Sequence, residues 1–181
     1  MSILEKAEGI AKIIAVSGGQ IVGKTKLQKT IYLLTVTGLD KTFHKNDFSY
    51  YHYGPYSDDV AESATTADLF DYISEEESPS KYGSTYSVYR SKKIDRNGLT
   101  TVSNTTLVEF TKMLVNSDPI VLELAATAAY LAFEDPSKNA WEATGRHKPS
   151  KTSDENLAAT KKLYAELLKV NTPIKLPEIR E

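Results

Sequence analysis

Gly23-Lys24-Thr25-Lys26-Leu27-Gln28-Lys29-Thr30-Ile31-Tyr32-Leu33-Leu34 opens the stretch on which the fold turns, and Phe48-Ser49-Tyr50-Tyr51-His52-Tyr53-Gly54-Pro55-Tyr56-Ser57 closes it. Leu27, Ile31 and Leu34 recur at helical spacing, with Thr25 as a suitable N-cap, which predicts an amphipathic helix over 26–37 that ends at Gly38. The aromatic run 47–53 predicts a short strand, since aromatic side chains fit a pleated, half-buried surface. Alternation then puts Phe48, Tyr50 and His52 on one face and Ser49, Tyr51 and Tyr53 on the other. Gly54-Pro55 predicts the break of that strand.

Working outward, residues 2–16 read as a supporting helix. Ser2 and Glu5 have capping-box spacing, Ile3, Leu4, Ala7, Ile10, Ala11, Ile14 and Ala15 share a face, and Gly18-Gly19 stops the run. On the other side, Ser57 caps a third helix over about 58–70, with Asp58 and Asp59 in the turn where the dipole favours acids. Val60, Ala64, Ala67 and Phe70 are its inward positions. Tyr86-Ser87-Val88-Tyr89 alternates, so 72–89 predicts a hairpin around a polar turn, Ser74 to Gly83, that contains Glu75, Glu76 and Glu77. Residues 92–98 read as a loop.

The rest is helical. Helices are expected at about 103–116, at 119–134 after the Asp118-Pro119 start signal, at about 137–144 around Trp141, and at 153–169. The Ala-rich 119–134 helix suits a central position, and the tail after Asn171, with Pro173 and Pro177, is expected to be extended or frayed. These elements predict an α+β, mainly α fold: a winged-helix-like core over 1–98, a helical cap over 99–171 packed on it, and an extended tail over 172–181.

Composition narrows the functions. The 181 residues contain no cysteine, which excludes thiol catalysis, disulfides and Cys-based metal sites. No basic start followed by an apolar run marks a signal segment, and the expected location is the cytoplasm. The net charge of −2 opposes a mainly electrostatic nucleic-acid binder, but the charge is unevenly spread. Residues 1–45 carry seven lysines against three acids; 46–80 carry nine acids and no Lys or Arg; 81–98 carry five basic residues against Asp95.

Helix, helix, strand, helix, hairpin is the order of a winged helix, whose third helix reads DNA in many proteins. Here that helix offers Asp58, Asp59, Glu62 and Asp68 and no cation, so phosphate would be repelled. A partner-binding surface of Tyr51, Tyr53, Tyr56, Asp58, Asp59 and Glu62 is the favoured reading, because exposed tyrosines anchor protein interfaces. The plainer alternative is that half of these tyrosines close the core. DNA binding through Lys24, Lys26, Lys29, Arg90, Lys92 and Lys93 is the competing function, although solvated lysines are the default.

The Lys26-Leu27-Gln28-Lys29 helix with Ile31-Tyr32-Leu33-Leu34, and the later Tyr53-Gly54-Pro55-Tyr56-Ser57, resemble the YwgA-like family of prokaryotic proteins and the related SocA-like Panacea antitoxin domain. Leu122-Glu123-Leu124-Ala125-Ala126-Thr127 and Lys148-Pro149 are similar to features of the same group. The Panacea resemblance implies an adaptor that recognises a toxin partner, in a mobile-element or phage-related setting, whereas the YwgA-like resemblance implies no established activity; a non-enzymatic interaction module is the expected function. The resemblance implies no catalytic residues, metal or cofactor, and leaves a homodimer open.

Two enzyme-like patterns carry little. His44, Asp47, His52, Asp58 and Asp59 could in principle serve a metal-dependent hydrolase, but their spacing matches no ligand motif. Gly18 through Gly23-Lys24-Thr25 has phosphate-loop spacing yet follows a helix, whereas a phosphate loop follows a buried strand of a parallel sheet.

Overall fold

The computed structural model describes residues 1–81, 83–92, 104–136 and 138–180. Lys93, Arg96, most of the 92–98 loop, residue 103 and Ser137 lie outside the described residues. The mainly helical α+β class is as expected. Its elements are α1 (Ile3–Val16), β1 (Gln20–Val22), α2 (Lys24–Val36), β2 (Ser49–Tyr51), β3 (Gly54–Tyr56), α3 (Asp58–Leu69), β4 (Ile73–Pro79), β5 (Thr85–Ser91), α4 (Thr105–Asn116), α5 (Pro119–Glu134), α6 (Ala140–His147) and α7 (Asp154–Lys169).

Local chemistry sets many of the boundaries. Ser2 and Glu5 form a reciprocal capping box on α1, with Ser2 N donating to Glu5 Oε2 at 2.6 Å. Asp118 Oδ1 accepts from Ile120 N at 2.8 Å, and Pro119 begins α5 where its missing N–H costs nothing. Ser57 Oγ accepts from Val60 N to start α3. In contrast, α2 starts one residue before Thr25, behind Gly23 at φ +96°, whose N–H donates to Ser87 O at 2.8 Å.

The wing holds three strands rather than two. β4 and β5 pair antiparallel, and β1 adds to β5 with Ile21 opposite Tyr89, giving the order β1-β5-β4. Three residues in an exposed–buried–exposed pattern carry too little periodicity to be read as a strand. With β1 antiparallel to β5, no parallel sheet backs Gly23-Lys24-Thr25 among the described residues, as a phosphate loop requires.

α2 departs from its expected single apolar stripe. Every residue from Leu27 to Val36 is buried, Gln28 and Lys29 included. The helix is central, packed against α3, α4, α5 and the β2–β3 hairpin. α5 shares that position, as its small residues suggest: Ala125, Ala126, Ala128 and Ala129 are fully buried. One hydrophobic core runs from α1 through α2 and α5 to α7, so core and cap share it.

Three smaller expectations also change. Ile3, Leu4 and Phe70 are exposed rather than inward: the first two begin α1 and Phe70 follows the last residue of α3. Gly54-Pro55 does not end the aromatic strand; it starts the returning strand, with Tyr51 opposite Gly54. The tail is extended but not frayed: Ile174 N donates to Thr37 O at 2.9 Å, Tyr164 Oη donates to Pro177 O at 3.0 Å, and Leu176 is buried.

Candidate functional site

The β2–β3 hairpin is held from behind by polar side chains of the core. Gln28 Nε2 donates to Ser57 O at 2.9 Å, and Ser57 N donates to Gln28 Oε1 at 3.0 Å, a two-point match to the backbone. Lys29, the next residue of α2, donates from Nζ to Pro55 O at 2.8 Å. Lys148, at the end of α6, donates to His52 O. Three hairpin-side carbonyls are thus fixed by side chains from two helices. Buried carbonyls need such partners, and the partners hold the hairpin in one position.

Gly54 lies at the closest approach. Its φ is +83°, and a Cβ there would collide with Thr127 Oγ1 of α5. Thr127 itself donates back to Glu123 O at 2.8 Å. Glycine therefore permits both the turn and the contact with α5.

Beneath the hairpin lies a buried charged cluster. Glu123 of α5 is 3 % exposed, Lys29 1 % and Lys148 5 %. Lys151 reaches both Glu123 carboxylate oxygens, at 2.8 and 2.7 Å, and Lys148 lies 3.2 Å from Oε1. Lys151 Nζ also stands 4.8 Å from the centre of the Tyr53 ring, and Lys148 Nζ lies 5.8 and 5.7 Å from the Tyr50 and Tyr53 rings. The negative ring faces add to what Glu123 offers these cations.

Lys29 has a different environment. Among the described residues it forms no salt bridge, and it makes its hydrogen bond to a neutral carbonyl. Burial lowers its pKa to about 7, opposed by Glu123 and assisted by repulsion from Lys148 and Lys151. Burial also holds Lys148 below the ordinary lysine value, with Glu123 pulling the other way.

The outward face of the hairpin is aromatic. Tyr51 and Tyr53 are each 55 % exposed, and Tyr56 is half-buried with its ring 5.7 Å from that of Tyr51. Tyr50 turns inward to Tyr130 and His147. Beyond Tyr56 the chain passes directly into α3, where Asp58 and Glu62 are exposed and Asp59 pairs with Lys6 at 2.6 Å. Tyr56 precedes the exposed Asp58 and Glu62 in the chain, whereas the Tyr53 ring lies on the basic side, 4.8 Å from Lys151 Nζ.

The lysines and arginine expected to meet DNA form no comparable group. Lys29 is buried and cannot reach a phosphate, which corrects its place among them. Lys26 Nζ donates to Val115 O and Ser117 O at 2.7 and 2.9 Å, where it caps the C-terminal end of α4. Lys24 lies 3.6 Å from Glu75, Arg90 2.7 Å from Glu76, and Lys92 pairs with Asp71. Lys93 lies outside the described residues.

The hydrolase residues do not converge either. His44 N donates to Asp47 Oδ2 at 2.8 Å in a local turn, while the His52 ring packs edge-on against Tyr51. No group of three or more His, Asp or Glu side chains is placed to hold a metal ion among the described residues. No helix there is long and apolar enough to cross a membrane.

Comparison with known proteins adds no relative: the chain matches no protein-family model, no curated protein and no solved structure.

Proposed function

We propose that the chain is a non-enzymatic interaction module that binds a protein partner through Tyr51, Tyr53, Tyr56 and the acidic start of α3. The observation that carries this reading is the exposure of Tyr51 and Tyr53 on a hairpin whose backbone is fixed from behind by Gln28, Lys29 and Lys148. A rigid aromatic anchor loses little entropy on binding, which is why such residues concentrate affinity. An antitoxin-like role in a mobile-element or phage-related setting follows from the family resemblance.

The alternative, a DNA-binding regulator, draws on the winged-helix order of α1, β1, α2, α3, β4 and β5. The exposed acids of α3 weigh against it, as do the carboxylates beside Lys24, Arg90 and Lys92.

A comparative pull-down from nuclease-treated lysate of the source cells separates the two. Wild type and a Tyr53→Ala/Tyr56→Ala variant serve as baits, with circular dichroism to confirm that both are folded. The expected result is a protein retained by wild type and lost by the variant. Equal recovery by both baits, or nucleic acid retained by both when nuclease is omitted, overturns the partner reading.

A further inference from the structure

Charges at the base of the β2–β3 hairpin do not balance. Among the described residues, Lys29, Lys148 and Lys151 surround the single carboxylate of Glu123. Even with Lys29 neutral, two ammonium groups share one carboxylate. Buried charge is costly unless it is matched, so the surplus cation has to be accommodated. Part of the compensation comes from the Tyr50 and Tyr53 rings. The rest is open to solvent: the Lys151 side chain is 27 % exposed, and the tyrosine beside it is the exposed Tyr53.

Hydrogen-bonding capacity points the same way. An ammonium group carries three donors. Lys151 directs two of its contacts to the oxygens of Glu123, which leaves one proton for a further acceptor. Glu123 is occupied on both oxygens and has no exposed face to offer. An acceptor arriving from outside would meet the solvent-exposed part of Lys151, beside the exposed Tyr53.

We propose that the exposed corner of Lys151 beside Tyr53, backed by the buried Lys148, is a binding site for a carboxylate, an Asp or Glu side chain carried by the protein partner. The inference rests on the partner reading above and names the chemistry that its central contact requires. A protein carboxylate suits the surroundings better than a nucleic-acid phosphate. The hairpin runs straight into Asp58, Asp59 and Glu62, which repel a repeating polyanion but tolerate one carboxylate set among neutral or basic contacts. The partner then brings an acid to the Tyr53 corner and basic or polar groups to α3.

Titration of the full chain with small probes tests this without the partner in hand. The probes are N-acetyl-aspartate N-methylamide, its asparagine counterpart and inorganic phosphate. The readouts are the lysine Nζ resonances and the Tyr53 ring resonances. A saturable shift with the aspartate probe is expected at Lys151 and Tyr53, with none for the asparagine probe and weaker or absent binding of phosphate. Lys151→Met should weaken the aspartate response, followed at Tyr53, by about tenfold, the scale of one charge-assisted hydrogen bond. Lys162→Met, which alters an exposed position on α7, should leave it unchanged.

Equal responses to the aspartate and asparagine probes, or none that saturates, overturn the carboxylate site. Phosphate binding more tightly than aspartate also overturns it and points to a phosphate ligand instead. Failure here leaves the pull-down outcome standing, because loss of a partner on Tyr53→Ala/Tyr56→Ala requires no carboxylate. Failure of the pull-down with a positive titration separates the two ideas in the other direction.

Discussion

Lys29, Lys148 and Lys151 converge under the hairpin, whereas Lys24, Arg90 and Lys92 lie along the wing, and the two groups use the same charge for different ends. Under the hairpin, Lys29 and Lys148 are almost fully buried, and their donors go to backbone carbonyls and to Glu123. On the wing, the Lys24, Arg90 and Lys92 side chains are 71 %, 43 % and 40 % exposed, each beside an acid on β4 or the turn before it. An exposed pair gains little, because water already solvates both ions. A buried charge cannot be indifferent to its partner, so its placement constrains the structure around it. The basic groups that sequence suggests for DNA are mostly the inexpensive ones. Those that position the tyrosines are the costly ones.

The largest effect that separates the two regions is expected from Glu123→Ala. It leaves Lys148 and Lys151 without their carboxylate in a site where Lys148 is almost fully buried and Lys151 is partly exposed. Breaking a buried pair in this way costs about 3–5 kcal/mol. Urea unfolding monitored by far-ultraviolet circular dichroism measures it. A loss below about 1 kcal/mol would show that the cluster is as weakly coupled as the wing pairs and would break the contrast.

The fold was largely legible because its signals are local. Ser2 with Glu5, Ser57 before Asp58, and Asp118 before Pro119 each announce a helix through groups that satisfy its first amides. The site was legible only in part because its signals are distant. Lys29 and Gln28 look like surface residues of an amphipathic helix until the hairpin carbonyls, 26 and 29 residues later, are brought against them. Glu123 carries a usable sign: a carboxylate among Leu122, Leu124, Ala125 and Ala126 must find a partner if that helix is central. Nothing local says that the partners are Lys148 and Lys151, since the loop after α6 has to fold back first. Alternation separated Tyr51 from Tyr50, but the strand ends at Tyr51, so His52, expected on the Tyr50 face, is exposed in the turn with Tyr53, and the need for glycine at position 54 comes partly from Thr127 in a helix far along the chain.

A pH series with Lys29→Met sharpens the comparison by titration. In the folded chain Lys29 has its pKa lowered to about 7, while in the unfolded chain it keeps the ordinary lysine value near 10.5. Between those values the unfolded chain binds more protons, so wild-type stability rises with pH. The Lys29 contribution is at its least favourable below about pH 7 and is fully relieved above the unfolded value. Its slope approaches about 1.4 kcal/mol per pH unit in mid-window. Lys29→Met should flatten the rise without abolishing it, because Lys26 and Lys148 are shifted in the same direction by burial. Urea unfolding between pH 7 and pH 9.5 avoids the opposing effect of Tyr32, Tyr89 and Tyr164, whose raised values make stability fall once unfolded tyrosine ionises near pH 10. Parallel curves for the two proteins would show that burial under the hairpin does not lower the Lys29 pKa.

The smallest effect is expected on the wing, from Arg90→Ala. Its partner Glu76 has a side chain 60 % exposed, so loss of the pair at 2.7 Å should cost at most about 0.5 kcal/mol after solvent screening. Added salt should erase that difference, as the Debye length shrinks to about 3 Å near 1 M. The same variant also tests function. If the hairpin tyrosines meet the partner, Arg90→Ala leaves partner capture unchanged while Tyr53→Ala/Tyr56→Ala removes it. If the wing meets DNA, Arg90→Ala lowers affinity at every sequence and reduces the salt dependence by about one phosphate contact. A stability change of several tenths therefore carries no functional weight by itself. A change in the salt slope would reassign the binding face from the hairpin to the wing.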